Sequence, residues 1–216
     1  MSTWTDDHND PIPSQPPVEN SDVTAALTYV RAVQQMLRQD RRRGMASLTG
    51  LFGDGEMPTV ALHGRYRGQI LAFDIAPGLT KATATFYAHW PFWLGKTFNA
   101  PQQSGDDIYL RTLLRRARLF WPGYRGYVAD TAQTYRAFPF RTHVAASILQ
   151  PAQQIMRLDY DLPGNPRLSV ARTMDEVVQL AGDVYLGRAF VHWWWGRWQP
   201  VAYFVLRSTP DPVQDE

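Results

Sequence analysis

The chain shows two patterns of apolar positions, one near its start and the other over its second half. Between residues 21 and 44, apolar residues recur at intervals of three and four, which is typical of an amphipathic helix. Ser21 or Asp22 is placed to cap this helix and Gly44 to end it, with the arginine run 41–43 at the negative end of its dipole. The spacing therefore predicts one N-terminal helix of about five turns.

From residue 124 onward, apolar and polar residues alternate in short segments that are rich in β-branched and aromatic side chains. Turn-forming residues separate these segments. Together with a strand near residue 65 and another near Thr97, they predict about eight antiparallel strands.

Two short helices are predicted between the early strands. The first covers residues 79–90, after a Pro-Gly pair, and the second covers residues 108–120, which are rich in Leu and Arg. Asp106 or Asp107 is placed to cap the second helix, which a further Pro-Gly pair ends. The chain is thus predicted to be mainly β, with an N-terminal amphipathic helix and two short helices.

Two arginines help to decide between a β-sandwich and a closed barrel. Arg157 and Arg172 are predicted on neighbouring strands, where they interrupt apolar faces. A dry sandwich core does not accommodate a charged side chain without a partner, whereas a barrel with a partly polar lumen does. The pattern therefore favours an antiparallel barrel in which both arginines face the lumen. Their partners would be Asp159, Asp161, Glu176 or a bound ligand.

Both ends of the chain differ in composition from the middle. Residues 1–20 contain four prolines and four acidic residues and no lysine or arginine, and the last residues are acidic as well. They have too little apolar surface to offset the entropy of ordering. We therefore expect disordered tails at residues 1–20 and 209–216 around a single domain at residues 21–208.

Arginine dominates the basic residues, since only two of the 22 are lysines. An anionic partner is one explanation, because arginine binds carboxylates and phosphates with two hydrogen bonds, and amino-acid usage unrelated to function is the other. The basic residues are not dense enough for a nucleic-acid surface. No apolar run is long enough to span a membrane and no signal peptide is evident, so we expect a cytoplasmic protein.

Several catalytic and metal-binding classes lack their residues. The chain has no cysteine, which excludes disulfides, thiol nucleophiles and iron–sulfur ligands. The five histidines show no metal-site spacing, so no metal and no cofactor are predicted, with haem on a single histidine as an open alternative. Motifs of serine hydrolases, dinucleotide-binding folds and phosphate-binding loops are also absent from the sequence.

Two short segments are similar to those of a known domain family. Residues 64–68 read Gly-Arg-Tyr-Arg-Gly, and residues 93–98, beyond a predicted helix, read Trp-Leu-Gly-Lys-Thr-Phe. Both resemble the GXWXG-type domain of uncharacterised proteins, with Tyr66 where that family has tryptophan. Residues 185–187 and 202–207 resemble the ending of the domain usually fused behind it.

The same segments also resemble the calycin superfamily, which includes lipocalins and fatty-acid-binding proteins. The similarity lies in the glycine-and-aromatic first strand at residues 64–68 and in Arg207 on the last strand. This resemblance implies a calycin-like β-barrel with an internal cavity.

The density of aromatic residues indicates a small-molecule pocket in such a barrel. Arginines that face the lumen would meet an acidic group of the ligand. We therefore expect the barrel to bind a hydrophobic or amphipathic molecule, with or without a carboxylate. The candidate wall residues and arginines are Tyr66, Arg67, Trp93, Phe138, Phe140, Arg141, Arg157, Tyr160, Arg172, Trp194, Tyr203 and Arg207.

Two other functions stay open from the sequence. One is an enzyme of the same fold, a lyase, cyclase or isomerase, with His143, Asp159 or Tyr160 as acid or base. The other is a structural or partner-binding protein that uses exposed tryptophans, and the tryptophans at 193–195 could also contact a membrane interface. A lined cavity would favour ligand binding or catalysis, and a titratable group of shifted pKa in it would favour catalysis.

Overall fold

The computed structural model describes residues 20–74, 93–193 and 195–209. The helix predicted at residues 79–90 and the candidate wall residue Trp194 lie outside these ranges, as does most of both predicted tails. Within the described ranges the helices are α1 (Asn20–Gln39), α2 (Arg41–Asp54) and α3 (Leu114–Phe120). The strands are β1 (Gly64–Phe73), β2 (Trp93–Asn99), β3 (Ser104–Leu110), β4 (Val128–Ala129), β5 (Thr134–Ala146), β6 (Gln154–Asp159), β7 (Thr173–Ala181), β8 (Val184–His192) and β9 (Trp198–Thr209).

Eight strands close into an antiparallel barrel, which confirms the predicted fold class. Going round the barrel, the order is β1, β2, β3, β5, β6, β7, β8 and β9, and β9 pairs with β1 again. The pairing of β3 with β5 closes the sheet, and the two-residue strand β4 lies beside β5. Because neighbouring strands follow one another along the chain, most connections are short and leave alternate ends of the barrel.

Apolar side chains form two layers, one inside the barrel and one outside it. The half of the lumen that contains the start of β1 is filled by the buried side chains of Tyr66, Phe98, Phe140, Met156, Leu158, Val177, Tyr185 and Leu206. On the outside, α1 and α2 cover β6 to β9 through Val33, Leu48 and Phe52, which pack against Ile155, Val178, Leu186 and Tyr203. Strands under the helices therefore bury both of their faces. For these strands, the alternation of apolar and polar residues does not show which face points into the barrel.

The prediction of a single N-terminal helix that ends at Gly44 is wrong. Two helices occupy this part of the chain, and the first ends at Gln39. Asp40 interrupts the helix with extended backbone angles, and its side chain caps α2 by accepting from the amide of Arg43 at 3.0 Å. Gly44 does not end a helix. It lies in α2 against Leu37 of α1, where a Cβ atom would come within 2.7 Å of the Leu37 side chain. The glycine thus permits the two helices to approach closely.

The helix predicted at residues 108–120 is only partly correct. Asp106 and Asp107 lie within β3 instead of capping a helix, and α3 begins only at Leu114, after a short 3-10 helix at Arg111–Leu113. The pairing of β3 with both β2 and β5 overrides the local helical preference of this segment. Residues 108–110, which were predicted to be helical, are therefore the end of a barrel strand.

Two glycines leave no room for a side chain between β1 and β2. A Cβ atom on Gly68 would come within 2.3 Å of the Trp93 ring, so the indole lies directly over this glycine. Gly95 has a φ of 143°, and a Cβ atom there would come within 2.0 Å of the carbonyl oxygen of Tyr66. The glycine of the first sequence motif therefore makes room for the tryptophan of the second, and the Trp93 ring lies along the barrel wall over Gly68.

We expect Gly68→Val to lower the free energy of unfolding by about 1–3 kcal/mol, because the added side chain overpacks against the Trp93 ring. Gly50→Val is the matched control, since Gly50 is exposed in α2 with nothing near its missing Cβ atom. Urea denaturation of the two variants and the wild type measures the difference. Equal stability of all three would show that Trp93 does not lie over Gly68.

Candidate functional site

A cavity of about 500 Å³ occupies the half of the barrel lumen that the core does not fill. Its wall is mostly apolar and aromatic, and α3 contributes to its mouth. The lining residues include Ile70, Trp93, Tyr109, Phe138, Ala189, Ala202 and Phe204 on the wall and Leu113, Arg116, Phe120, Trp121 and Val170 toward the opening. A cavity of this size and composition is typical of small-molecule sites.

The floor of the cavity is a cluster of four buried polar side chains from four different segments. Lys96 on β2 lies between the carboxylates of Asp107 on β3, at 2.7 Å, and Asp175 on β7, at 2.8 Å. Its ammonium group also donates to the hydroxyl of Tyr160, just after β6. All four side chains are buried. The three protons of the lysine thus each have a partner.

Asp107 collects further hydrogen bonds from aromatic residues. The indole NH of Trp93 donates to its Oδ1 at 3.1 Å, and the hydroxyl of Tyr109 donates to its Oδ2 at 3.3 Å. The hydroxyl of Tyr160 lies 3.2 Å from Oδ2 of Asp107 and also 3.2 Å from Oδ2 of Asp175. Asp107 is therefore the most heavily bonded member of the cluster.

Aromatic rings surround the lysine on the sides that the carboxylates leave open. The ammonium nitrogen lies 5.1 Å from the ring centres of Phe140 and Tyr160, 5.3 Å from Phe204 and 5.5 Å from Trp93. Rings at these distances attract a cation through their quadrupoles. They stabilise the ammonium charge in a place that water reaches poorly.

The protonation states of the cluster follow from burial and from its two carboxylates. Burial by itself lowers the pKa of Lys96. The two carboxylates of Asp107 and Asp175 together raise it by more than burial lowers it, so the lysine stays charged. Burial and the same two carboxylates hold the pKa of the Tyr160 hydroxyl well above its ordinary value. For Asp175, burial raises the pKa more than Lys96 lowers it. Asp175 thus takes up a proton more readily than an exposed aspartate does.

Asp175 presents one oxygen that the described part of the protein leaves without a hydrogen bond. Its Oδ2 accepts from Lys96 and Tyr160, whereas its Oδ1 accepts from none of the described residues. Asp175 also lines the cavity. The floor therefore offers an acceptor to a hydroxyl or amine group of a bound molecule.

Phe138 belongs to the wall and has a backbone conformation that is uncommon for its residue type. Its φ is 57°, in the left-handed region, and its amide donates to the hydroxyl of Tyr124 at 2.6 Å. Its ring packs against Trp121 and Tyr124 at ring-centre distances of 4.9 and 4.8 Å. Phe138 thus links the wall of the cavity to the segment that follows α3.

The structure brings some of the predicted wall residues to the cavity and places others elsewhere. Trp93, Phe138 and Tyr160 line it. Tyr66 and Phe140 face the lumen too, but they belong to the filled half beneath the cluster. Tyr203 lies on the outer face, under α2, where its hydroxyl is 3.1 Å from that of Thr49.

The prediction that arginines face the lumen is wrong for the two residues on which it rested. Arg157 points outward on β6, where it donates to the carbonyl of Ala146 at 2.7 Å and lies 3.9 Å from Glu176. Arg172 lies in a 3-10 helix before β7 and donates to the carbonyl of His192 at 2.8 Å. The face assigned to the lumen in β7 is instead the face that the helices cover.

The remaining candidate arginines and the other catalytic candidates are also outside the cavity. Arg67, Arg141 and Arg207 have exposed side chains on the outer surface of the barrel. His143 is exposed as well, and Asp159 accepts from the amide of Asp161 at 2.9 Å on the outside. Of the three acid–base candidates, only Tyr160 reaches the cavity.

Sequence reasoning missed three of the four floor residues, namely Lys96, Asp107 and Asp175. They lie on three strands with no local spacing between them. One signal was present, because Lys96 is one of two lysines in a chain with 20 arginines. Lysine carries a compact charge that fits between two carboxylates and four rings, where the planar guanidinium of arginine is larger.

Comparison with known proteins adds no family to this picture. No protein-family model matches the chain, and neither a curated protein nor a solved structure matches it significantly. Within the described ranges, no three histidine, aspartate or glutamate side chains come together as a metal site, and no helix is long and apolar enough to span a bilayer. The cavity and its floor are thus the basis for a functional proposal.

Replacing Lys96 with methionine should destabilise the protein, because Asp107 and Asp175 would face each other without a cation. Removing one partner of a buried ion pair costs about 3–5 kcal/mol in free energy of unfolding. Urea denaturation at neutral pH measures this loss. The double variant Lys96→Met/Asp175→Asn has one carboxylate fewer and should recover part of it.

The loss in Lys96→Met should also depend on pH. Without the lysine, which lowers it, the folded-state pKa of the buried Asp175 carboxyl lies further above the unfolded value of about 3.9. Such a group contributes stability below its unfolded pKa, and this contribution is lost as the pH rises through the folded-state pKa. The variant should therefore approach the wild type in stability as the pH falls toward about 4. An equal deficit at low and high pH would contradict the clustering of the two carboxylates.

Proposed function

We propose that the barrel binds a small hydrophobic molecule in its cavity, with a hydroxyl or amine group on the floor. The observation that carries this proposal is the cavity of about 500 Å³ in the unfilled half of the lumen, with apolar walls and four buried polar groups at one end. Such a combination of apolar wall and few polar groups binds and orients a ligand. A structural protein would have no need of an unfilled lumen, because empty apolar space destabilises a core.

The charge of the floor favours a hydrogen-bond donor over a carboxylate. Lys96 has one positive charge, and Asp107 and Asp175 together can have two negative charges. A ligand carboxylate would add another negative charge to a buried, net-negative cluster. The arginines expected to meet such a group lie outside the cavity. A ligand hydroxyl or ammonium group would instead donate to Oδ1 of Asp175.

The resemblance to GXWXG-type domains and to calycins supports a binding role on the same residues. The two motif segments lie on the adjacent strands β1 and β2, where Gly68 makes room for Trp93. Both Trp93 on the wall of the cavity and Lys96 on its floor belong to the second segment. The motif thus coincides with the proposed site.

Binding can be measured by intrinsic tryptophan fluorescence, because Trp93 and Trp121 line the cavity. Titration with decanol, decylamine and decanoate compares three head groups on one tail. We expect decanol and decylamine to bind more tightly than decanoate, since only they donate a hydrogen bond at neutral pH. Binding of none of the three would contradict the proposed function, and tightest binding of decanoate would contradict the role of Asp175.

A variant that fills the cavity tests its location. Ala189→Phe places a phenyl ring in the cavity, and we expect it to weaken decanol binding by roughly tenfold or more, because the ring takes the place of the ligand. Val144→Phe is the control, since Val144 is exposed on β5. Calorimetric titration of both variants separates a filled cavity from a change at the surface. Equal affinity for both would place the binding site elsewhere.

Acid–base catalysis in the same cavity is a second candidate, favoured by one observation. The pKa of Asp175 is raised by burial at a position that faces the cavity, and the Tyr160 hydroxyl lies 3.2 Å from it. A carboxyl group of this kind can transfer a proton to or from a bound substrate. To test this candidate, the protein is incubated with a molecule that it binds, and native mass spectrometry measures the mass of the bound molecule before and after incubation. Conversion by the wild type but not by Asp175→Asn would support catalysis, and an unchanged ligand in both would exclude it for that ligand.

A further inference from the structure

Within the described ranges, three connections between strands leave the barrel at the end where the cavity opens. They are residues 111–133 with α3, residues 160–172, and residues 193–197. The indole NH of Trp121 donates to the hydroxyl of Ser169 at 3.0 Å, which joins the first connection to the second. Arg172 donates to the carbonyl of His192 at 2.8 Å, which joins the second to the third. We call this group of connections the open end.

The open end exposes large apolar side chains. Among the described residues, the three most exposed large hydrophobic side chains are Leu168, Leu119 and Phe120, at 93%, 79% and 71%. Trp195, at the tip of the third connection, is 52% exposed. Large apolar side chains exposed at the same end of a protein indicate a site of contact with another apolar phase.

Arginines occur in the same three connections as these apolar side chains. The three connections contain eight arginines and only two acidic residues, Asp130 and Asp161. Asp130 is paired with Arg65 at 2.7 Å, so it does not neutralise the arginines of α3. Seven of the eight arginines are exposed, namely Arg111, Arg115, Arg116, Arg118, Arg125, Arg167 and Arg197.

The opposite end of the barrel has no such charge. The connections at residues 100–103, 147–153 and 182–183 contain one charged residue, Asp183. The charge asymmetry therefore follows the axis of the barrel. General use of arginine in this chain does not explain it, because eight of the 20 arginines lie in the connections of the open end and none lies in these three connections of the opposite end.

We propose that the open end docks on a membrane surface that contains anionic lipids. The exposed leucines, Phe120 and Trp195 would enter the interface, and the arginines would bind lipid phosphates. A nucleic acid would engage the arginines but would leave Leu119 and Leu168 in water. Phe120 both lines the cavity and is exposed, so an apolar ligand could pass between bilayer and cavity along it. The docking surface itself does not depend on the proposed ligand.

Co-sedimentation of the full chain with vesicles tests this proposal. The chain should bind vesicles of phosphatidylcholine with phosphatidylserine, bind phosphatidylcholine alone at least tenfold more weakly, and lose binding as salt increases, because the attraction is electrostatic. Equal binding to both kinds of vesicle, or binding to neither, would overturn the proposal.

Two pairs of variants separate the apolar and the charged parts. Leu119→Ser/Leu168→Ser and Arg115→Gln/Arg167→Gln change exposed residues that do not line the cavity, so both should keep the fold and the affinity for decanol. Each should weaken vesicle binding by roughly tenfold. Val144→Ser and Arg141→Gln, exposed on β5 away from the open end, are the controls and should bind like the wild type.

The pattern of losses decides the outcome. Weakening by both variants of the open end, with both controls unchanged, supports membrane docking. Loss through the arginine variant alone would indicate a purely electrostatic partner such as a nucleic acid and would overturn the proposal. Loss in the controls as well would show that the open end is not the docking surface.

Discussion

A single buried ammonium group connects four segments of the barrel and lies at the boundary between its filled and unfilled halves. Lys96 lies within hydrogen-bond distance of Asp107, Asp175 and Tyr160, so β2, β3, β7 and the end of β6 meet at one point. Removal of such a charge from water is unfavourable unless its partners are in place. The pairing of β1 with β2 supports this arrangement, because Gly68 leaves room for the Trp93 ring and Gly95 lies against the carbonyl of Tyr66.

The class of fold could be predicted from the sequence because it depends on repeated local patterns. Alternation and frequent turns predict about eight antiparallel strands, and the aromatic residues predict an aromatic wall, as Trp93 and Phe138 show. The choice of a barrel over a sandwich was correct for a partly wrong reason, because it rested on the calycin resemblance and on two arginines that lie outside the lumen. A close approach at Gly68 was also predictable, since a glycine inside a strand indicates a neighbour that a side chain would displace.

The polar floor could not be predicted, because it depends on contacts between distant segments. In the sequence, Asp106 and Asp107 precede an apolar, arginine-rich run, as residues that cap a helix do. They belong to a strand because β3 pairs with β2 and β5. The sequence also did not show which face of β7 points into the lumen. The helices α1 and α2 bury its outer face, so Val178 outside and Val177 inside are both apolar. The side that holds Asp175 therefore looked no different from the side that holds Glu176.

The central claim is that the unfilled half of the lumen is a binding site for a small hydrophobic molecule. Native mass spectrometry of the purified full chain, before and after incubation with decanol, tests it most directly. We predict a one-to-one complex in the wild type and in Val144→Phe, and the bare chain in Ala189→Phe. A wild type that stays at the mass of the bare chain throughout, or an Ala189→Phe variant that still forms the complex, would contradict the account.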